Sequence, residues 1–76
     1  MKEFVIKLNS MEEAKQFVNI TSKYYFDVDI KSGRYTVDAK SLLGIFSIDL
    51  SRPVIVEIYT EEYADFCEEI KQFKQK

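Results

Sequence analysis

Histidine is absent from all 76 residues, and that gap excludes more chemistry than any other feature of the composition. The chain has no imidazole to act as general acid or base, to carry a phosphoryl group, or to ligate a transition metal. A single cysteine, Cys67, rules out an intrachain disulfide. No apolar run approaches eighteen residues, the longest near the start being Phe4-Val5-Ile6, and no cleavage-like motif follows it. Neither secretion nor membrane insertion is indicated, and the cytoplasm is the expected location. Thirteen acids against eleven bases give a net charge of -2 without a basic stripe, which argues against nucleic acid as a partner. No cofactor or metal motif is visible.

What is present is a small chain with an efficient core. A chain this short buries only about 60% of its unfolded surface, so six Phe and five Tyr must supply much of the apolar area. Residues 1–76 read as one domain without linker, repeat or low-complexity segment.

The segment Asp38 to Leu50, DAKSLLGIFSIDL, organises the rest. Asp38 and Ser41 each stand where a helix N-cap falls, and Leu42, Leu43, Ile45 and Phe46 follow around Gly44. So short a helix must be held by tertiary contacts on one side, which leaves its other side free.

Around it the periodicities are clear. Phe4, Ile6 and Leu8 alternate with Val5 and Lys7, predicting a half-buried strand ending at Asn9. Ser10 and Glu13 form an S-x-x-E capping box, the serine hydroxyl and the glutamate carboxylate each satisfying an orphan backbone N–H, before Ala14, Phe17, Val18 and Thr21 at helical spacing, so the first helix runs from Met11 to about Lys23. Phe26, Val28 and Ile30 alternate with Asp27 and Asp29. Gly33 then turns the chain into Tyr35-Thr36-Val37, making a hairpin. Pro53 opens a strand, Val54 to Tyr59, apolar enough to be interior to the sheet. Thr60 is the expected cap of a last helix with Tyr63, Phe66, Cys67, Ile70 and Phe73 on its stripe. Glu61, Glu62 and Asp65 stand at its start and Lys71, Lys74 and Lys76 at its end, matching the macrodipole. The order β-α-β-β-α-β-α predicts an α+β open-faced sandwich, a four-stranded antiparallel sheet with three helices on one face.

Lys40 to Ile48, followed by the strand opening at Pro53, resembles the second helix of the HPr family, the small phosphocarrier proteins of the bacterial sugar phosphotransferase system, and Gln16-Phe17-Val18 sets the register of the first helix. The resemblance implies this same sandwich over nearly the whole chain. It also implies a phosphoacceptor histidine, then an arginine and a proline, at the start of the first helix. Here Ser10 stands at the histidine position, Glu12 at the arginine and Glu13 at the proline. A serine phosphate is a stable ester and a poor phosphoryl donor, and Glu12 puts negative charge where the family's phosphate meets positive charge.

The resemblance therefore points to a bacterial protein that is not an enzyme, lacks the family acceptor, and serves as a regulatory or protein-binding module. Its implied partners are phosphotransferase components or a transcription regulator, met through Leu42, Leu43 and Phe46. Ser41 matches a serine that a kinase modifies in the Gram-positive branch, with Lys40 beside it. Each residue also has a plainer role: Ser10 and Ser41 as helix caps, Leu42, Leu43 and Phe46 as core. Tyr24 and Tyr25 at a helix-to-strand junction read as core and rim rather than a stacking platform. The acids Glu61, Glu62, Asp65, Glu68 and Glu69 read as a solvated helix face, and Cys67 as a buried, inert thiol. Two other functions stay open: a working carrier with an unconventional acceptor, and a ferredoxin-like interaction domain unrelated to sugar transport.

Overall fold

The computed structural model describes residues 2–74. Four strands, β1 (Lys2–Ile6), β2 (Val28–Ser32), β3 (Tyr35–Asp38) and β4 (Val54–Ile58), form one antiparallel sheet in the order β1-β4-β2-β3. Helices α1 (Met11–Thr21), α2 (Leu42–Phe46) and α3 (Ala64–Ile70) pack on one face, and α3 runs on into a single 3₁₀ turn, Lys71–Phe73. The predicted element order and sandwich are both observed.

Period-two patterning divides the sheet into a dry face and a wet one. Ile6, Val28, Ile30, Val54, Val56 and Ile58 are buried against Ala14, Phe17, Ile45, Phe66 and Ile70 from the helices. β4 lies between β1 and β2 as its apolar run requires. The opposite face exposes Val5 and Ile55 and carries a row of acids, one per strand, in which Glu3 pairs with Glu57, Glu57 with Asp29, and Asp29 with Asp38. Glu57 is buried even there; Lys31 Nζ lies 3.5 Å from its carboxylate and the Tyr59 hydroxyl donates to it at 3.2 Å.

Some boundaries differ from expectation. α1 ends at Thr21, whose buried hydroxyl donates to the carbonyls of Val18 and Ala39, both at 3.0 Å. The second bond ties the end of α1 to the loop before α2. β1 is shorter than its alternating pattern, because past Ile6 the chain leaves β4 and the Lys7 N–H donates to the Phe73 carbonyl at 2.8 Å. Ile6 also bridges Lys74, so the C-terminal segment covers part of the exposed sheet edge.

Thr60 is not the cap of α3. Its hydroxyl accepts the Glu62 N–H at 3.1 Å and closes a local turn, so the helix begins at Ala64 after Tyr63, with no side-chain cap. Glu61 and Glu62 therefore precede the helix, and only Asp65 is an acid of its first turn. Of the expected terminal cations, Lys71 lies in the 3₁₀ turn, and Lys76 falls outside the described residues. Among those residues no helix is long and apolar enough to cross a membrane.

Candidate functional site

Ser10 is extended (φ -157°, ψ 165°) and caps α1, accepting the Glu13 N–H on its hydroxyl at 3.1 Å. Glu13 returns the bond one residue earlier than a standard capping box, accepting the Asn9 N–H at 2.9 Å rather than that of Ser10. Glu12 projects into solvent beside it. The approach to α1 thus contains a neutral hydroxyl and two carboxylates and no cationic side chain of its own helix turn.

A shallow surface cavity joins Ser10 and Met11 to Lys7, Leu50 and Ser51. Lys7 braces it, its ammonium donating to the Leu50 carbonyl at 2.9 Å. Periodicity placed Lys7 on the outward side of a strand and carried no sign of this bond, since the partner is a backbone carbonyl far along the chain. Asp49 tightens the same loop, accepting both the N–H and the hydroxyl of Ser51 at 2.9 and 2.5 Å; those bonds hold its carboxyl below the usual range.

α2 is capped by Ser41, whose hydroxyl accepts the Gly44 N–H at 3.2 Å. Asp38, the other candidate cap, closes the preceding turn by accepting the Lys40 N–H at 2.9 Å. Gly44 lets the helix lie close to β3: a Cβ there would sit 3.3 Å from that of Val37. Ile45 is fully buried, Leu42 half-buried, Phe46 37% exposed and Leu43 83% exposed. One face of α2 is spent on the core and the opposite face offers Leu43 and Phe46 to solvent. The Lys40 ammonium does not attend Ser41; it donates to the Tyr24 carbonyl at 2.7 Å.

Three other candidates resolve into structure. Tyr24 is half-buried in an aromatic cluster with Phe26 and Phe66 and donates its hydroxyl to Glu69, which pushes its pKa up to about 12; Tyr25 is 83% exposed. Of the acids, Glu69 and Glu68 are engaged by Lys23 and Lys71, each at 2.5 Å, while Glu61, Glu62 and Asp65 face solvent. Cys67 is half-buried rather than buried, because it lies at the margin of the apolar stripe, and partial burial still pushes its thiol up.

Comparison with known proteins accounts for this architecture. The family described as PTS HPr component phosphorylation site matches residues 10–76. The crystal structure of HPr-C-His from Thermoanaerobacter tengcongensis is similar with a TM-score of 0.80 at 23% identity, covering 95% of this chain and 89% of that one. That of a phosphocarrier protein HPr from Bacillus anthracis str. Ames gives 0.75 at 20% identity, covering 97% and 96%. No curated protein matches the sequence. The chain belongs to the HPr family, whose members are phosphocarriers of the sugar phosphotransferase system rather than catalysts and work by meeting other proteins of that system. An interaction domain unrelated to that system is thereby set aside.

Proposed function

We propose that this chain is a bacterial, cytoplasmic member of the HPr family that does not carry phosphate through the family mechanism and acts instead as a non-enzymatic regulatory module, docking on a protein partner through α2. The observation that carries the reading is the exposure of Leu43 and Phe46 on a helix whose Ile45 is fully buried. With Leu42 at their edge they form an apolar patch without a structural need for exposure. The chain's lack of histidine supports the loss of carriage, with Ser10 and Glu12 read as standing at the acceptor and arginine positions. Partners in this reading are phosphotransferase components or a transcription regulator, not nucleic acid or membrane.

Ser41 is read as the regulatory phosphorylation site. Its hydroxyl oxygen is held by the Gly44 N–H beside the docking residues, so a phosphate would change the charge of the docking face directly. With Lys40 committed to Tyr24, the phosphate would meet no lysine pre-positioned for it.

The test is a pull-down comparing wild type with Phe46→Asp, which should lose any partner that docks on α2; equal recovery by both defeats the docking role. In parallel, the upstream phosphotransferase enzyme and phosphoenolpyruvate should leave no acid-labile label on the protein. A labelled product would mean a working carrier.

A further inference from the structure

Both arginines of the chain, Arg34 and Arg52, line one open cavity of about 670 Å³ between the β2–β3 hairpin and the connection from α2 to β4. The hairpin wall contributes Ser32, Arg34 and Tyr35, and the other wall Ser47, Asp49 and Arg52. The three ion pairs among the described residues all use lysine. Among the described residues neither guanidinium is therefore in an ion pair with a carboxylate, although acids outnumber bases in the chain and the charge of Arg52 helps to keep Asp49 ionised across the cavity.

The polar groups differ in what they can give. Ser47 donates its hydroxyl to the Gly44 carbonyl at 2.6 Å, so it presents only lone pairs to the cavity. Asp49 is occupied by its two bonds from Ser51 and stays ionised. Two guanidinium charges against that one carboxylate leave the lining with a single net positive charge. Arginine donates through a planar fork, and a carboxylate is satisfied by one such fork. Two forks from opposite walls suit an anion with oxygens pointing in several directions.

We propose that this cavity binds a phosphate monoester dianion, gripped by Arg34 from the hairpin and Arg52 from the α2–β4 connection, with the hydroxyls of Ser32 and Tyr35 as further donors. The site is independent of the docking role of α2 and uses none of Leu42, Leu43 or Phe46. It lies at the end of the sheet where β1 also delivers the chain to Ser10, since Ile6, Val54 and Lys31 stand at that end of their strands. The phosphate can belong to a small ester or be carried on a peptide side chain; both present the same three oxygens.

Titration of the isotope-labelled full chain with inorganic phosphate, and separately with a short phosphoserine peptide, at constant ionic strength distinguishes the two sources. Saturable shifts at the Gly33, Arg34 and Arg52 amides and the arginine Nε groups are expected with one or both probes; response to the peptide alone assigns the phosphate to a protein. Arg34→Ala and Arg52→Ala should each weaken binding about tenfold, the scale of one lost charge-assisted contact. Arg52→Lys should weaken it too, because the fork is lost, and Asp49→Asn should tighten it several-fold by removing the opposing charge. Arg34, Asp49 and Arg52 are all exposed, so the variants should fold, as their amide spectra will show. The proposal is overturned if chloride at matched ionic strength produces the same shifts, or if the Arg34→Ala/Arg52→Ala double variant binds phosphate and peptide as wild type does.

Discussion

Helices α1 and α2 each start from a serine that accepts the N–H three residues on, Glu13 in one case and Gly44 in the other. From there they diverge. α1 spans eleven residues and buries Ala14, Phe17 and Thr21, and each end is tied down, by Glu13 to Asn9 at one and by Thr21 to Ala39 at the other. α2 spans five residues and buries only Ile45. The same cap therefore starts a structural beam in one place and a lightly anchored presenting surface in the other. What separates them is how many side chains each helix spends on the core, and that difference is what makes α2 the better candidate for contact with another protein.

The sharpest way to break this contrast lies within α2. Ile45→Ala should destabilise the fold by about 2–5 kcal/mol, the range for emptying a buried aliphatic site. Leu43→Ala, two residues away and exposed, should change stability by no more than about 0.5 kcal/mol. Urea unfolding of both variants measures the pair. A large loss for Leu43→Ala would mean that this side chain is covered in solution, and the presenting face would be gone.

Thr21→Val examines how the beam is fixed. It keeps the shape of the side chain but strips the buried Ala39 carbonyl of its hydroxyl donor, for an expected loss of about 1–3 kcal/mol. The caps come next. Ser10→Ala and Ser41→Ala should each cost about 1 kcal/mol, with α1 retaining the Glu13–Asn9 bond and α2 retaining nothing equivalent. A markedly larger loss at Ser10 than at Ser41 would reverse the ranking of the two helix starts, and urea midpoints decide it.

These contrasts also mark where sequence reasoning reaches its limit. Features written in local periodicity were legible: the alternation of β1, the interior position of β4, the turn at Gly33 with its φ of 59°, and both serine caps. The mixed role of α2 was legible as well, because four apolar residues cannot all turn inward from so short a helix. Contacts between polar side chains and distant backbone were not. Lys7 on Leu50, Lys40 on Tyr24 and Thr21 on Ala39 have no sequence signature, since any carbonyl can accept. The start of α3 failed for a related reason: Thr60 caps a helix or closes a turn with the same hydroxyl, and here it closes a turn by accepting the Glu62 N–H. Arg34 and Arg52 stand far apart in the sequence and meet only where the fold sets the hairpin beside the α2–β4 connection.

The smallest effect at neutral pH, and the most specific, concerns the exit from α1, where Lys23 and Tyr24 meet Glu69 of α3. The Lys23 ammonium, then the Tyr24 hydroxyl, hold the Glu69 carboxyl below its ordinary value. The folded state therefore prefers the carboxylate, and this contribution, present at neutral pH, is lost as the pH falls below the ordinary glutamate range through the folded-state value. Tyr24 works in the opposite direction. Its hydrogen bond to Glu69, with burial and the neighbouring negative charge adding to it, raises its pKa from 10.0 to about 12. The phenol form is favoured by folding, so that contribution is complete below pH 10 and drains away between pH 10 and about 12, while the unfolded chain ionises and the folded one does not. Tyr24→Phe should flatten the alkaline decline of the urea midpoint over that interval without abolishing it, because burial, then the charge of Glu57, also raises Tyr59. Glu69→Gln should flatten both limbs. If Tyr24→Phe declines as steeply as wild type, the Tyr24–Glu69 hydrogen bond does not hold in solution, and the exit from α1 is joined to α3 through Lys23 alone.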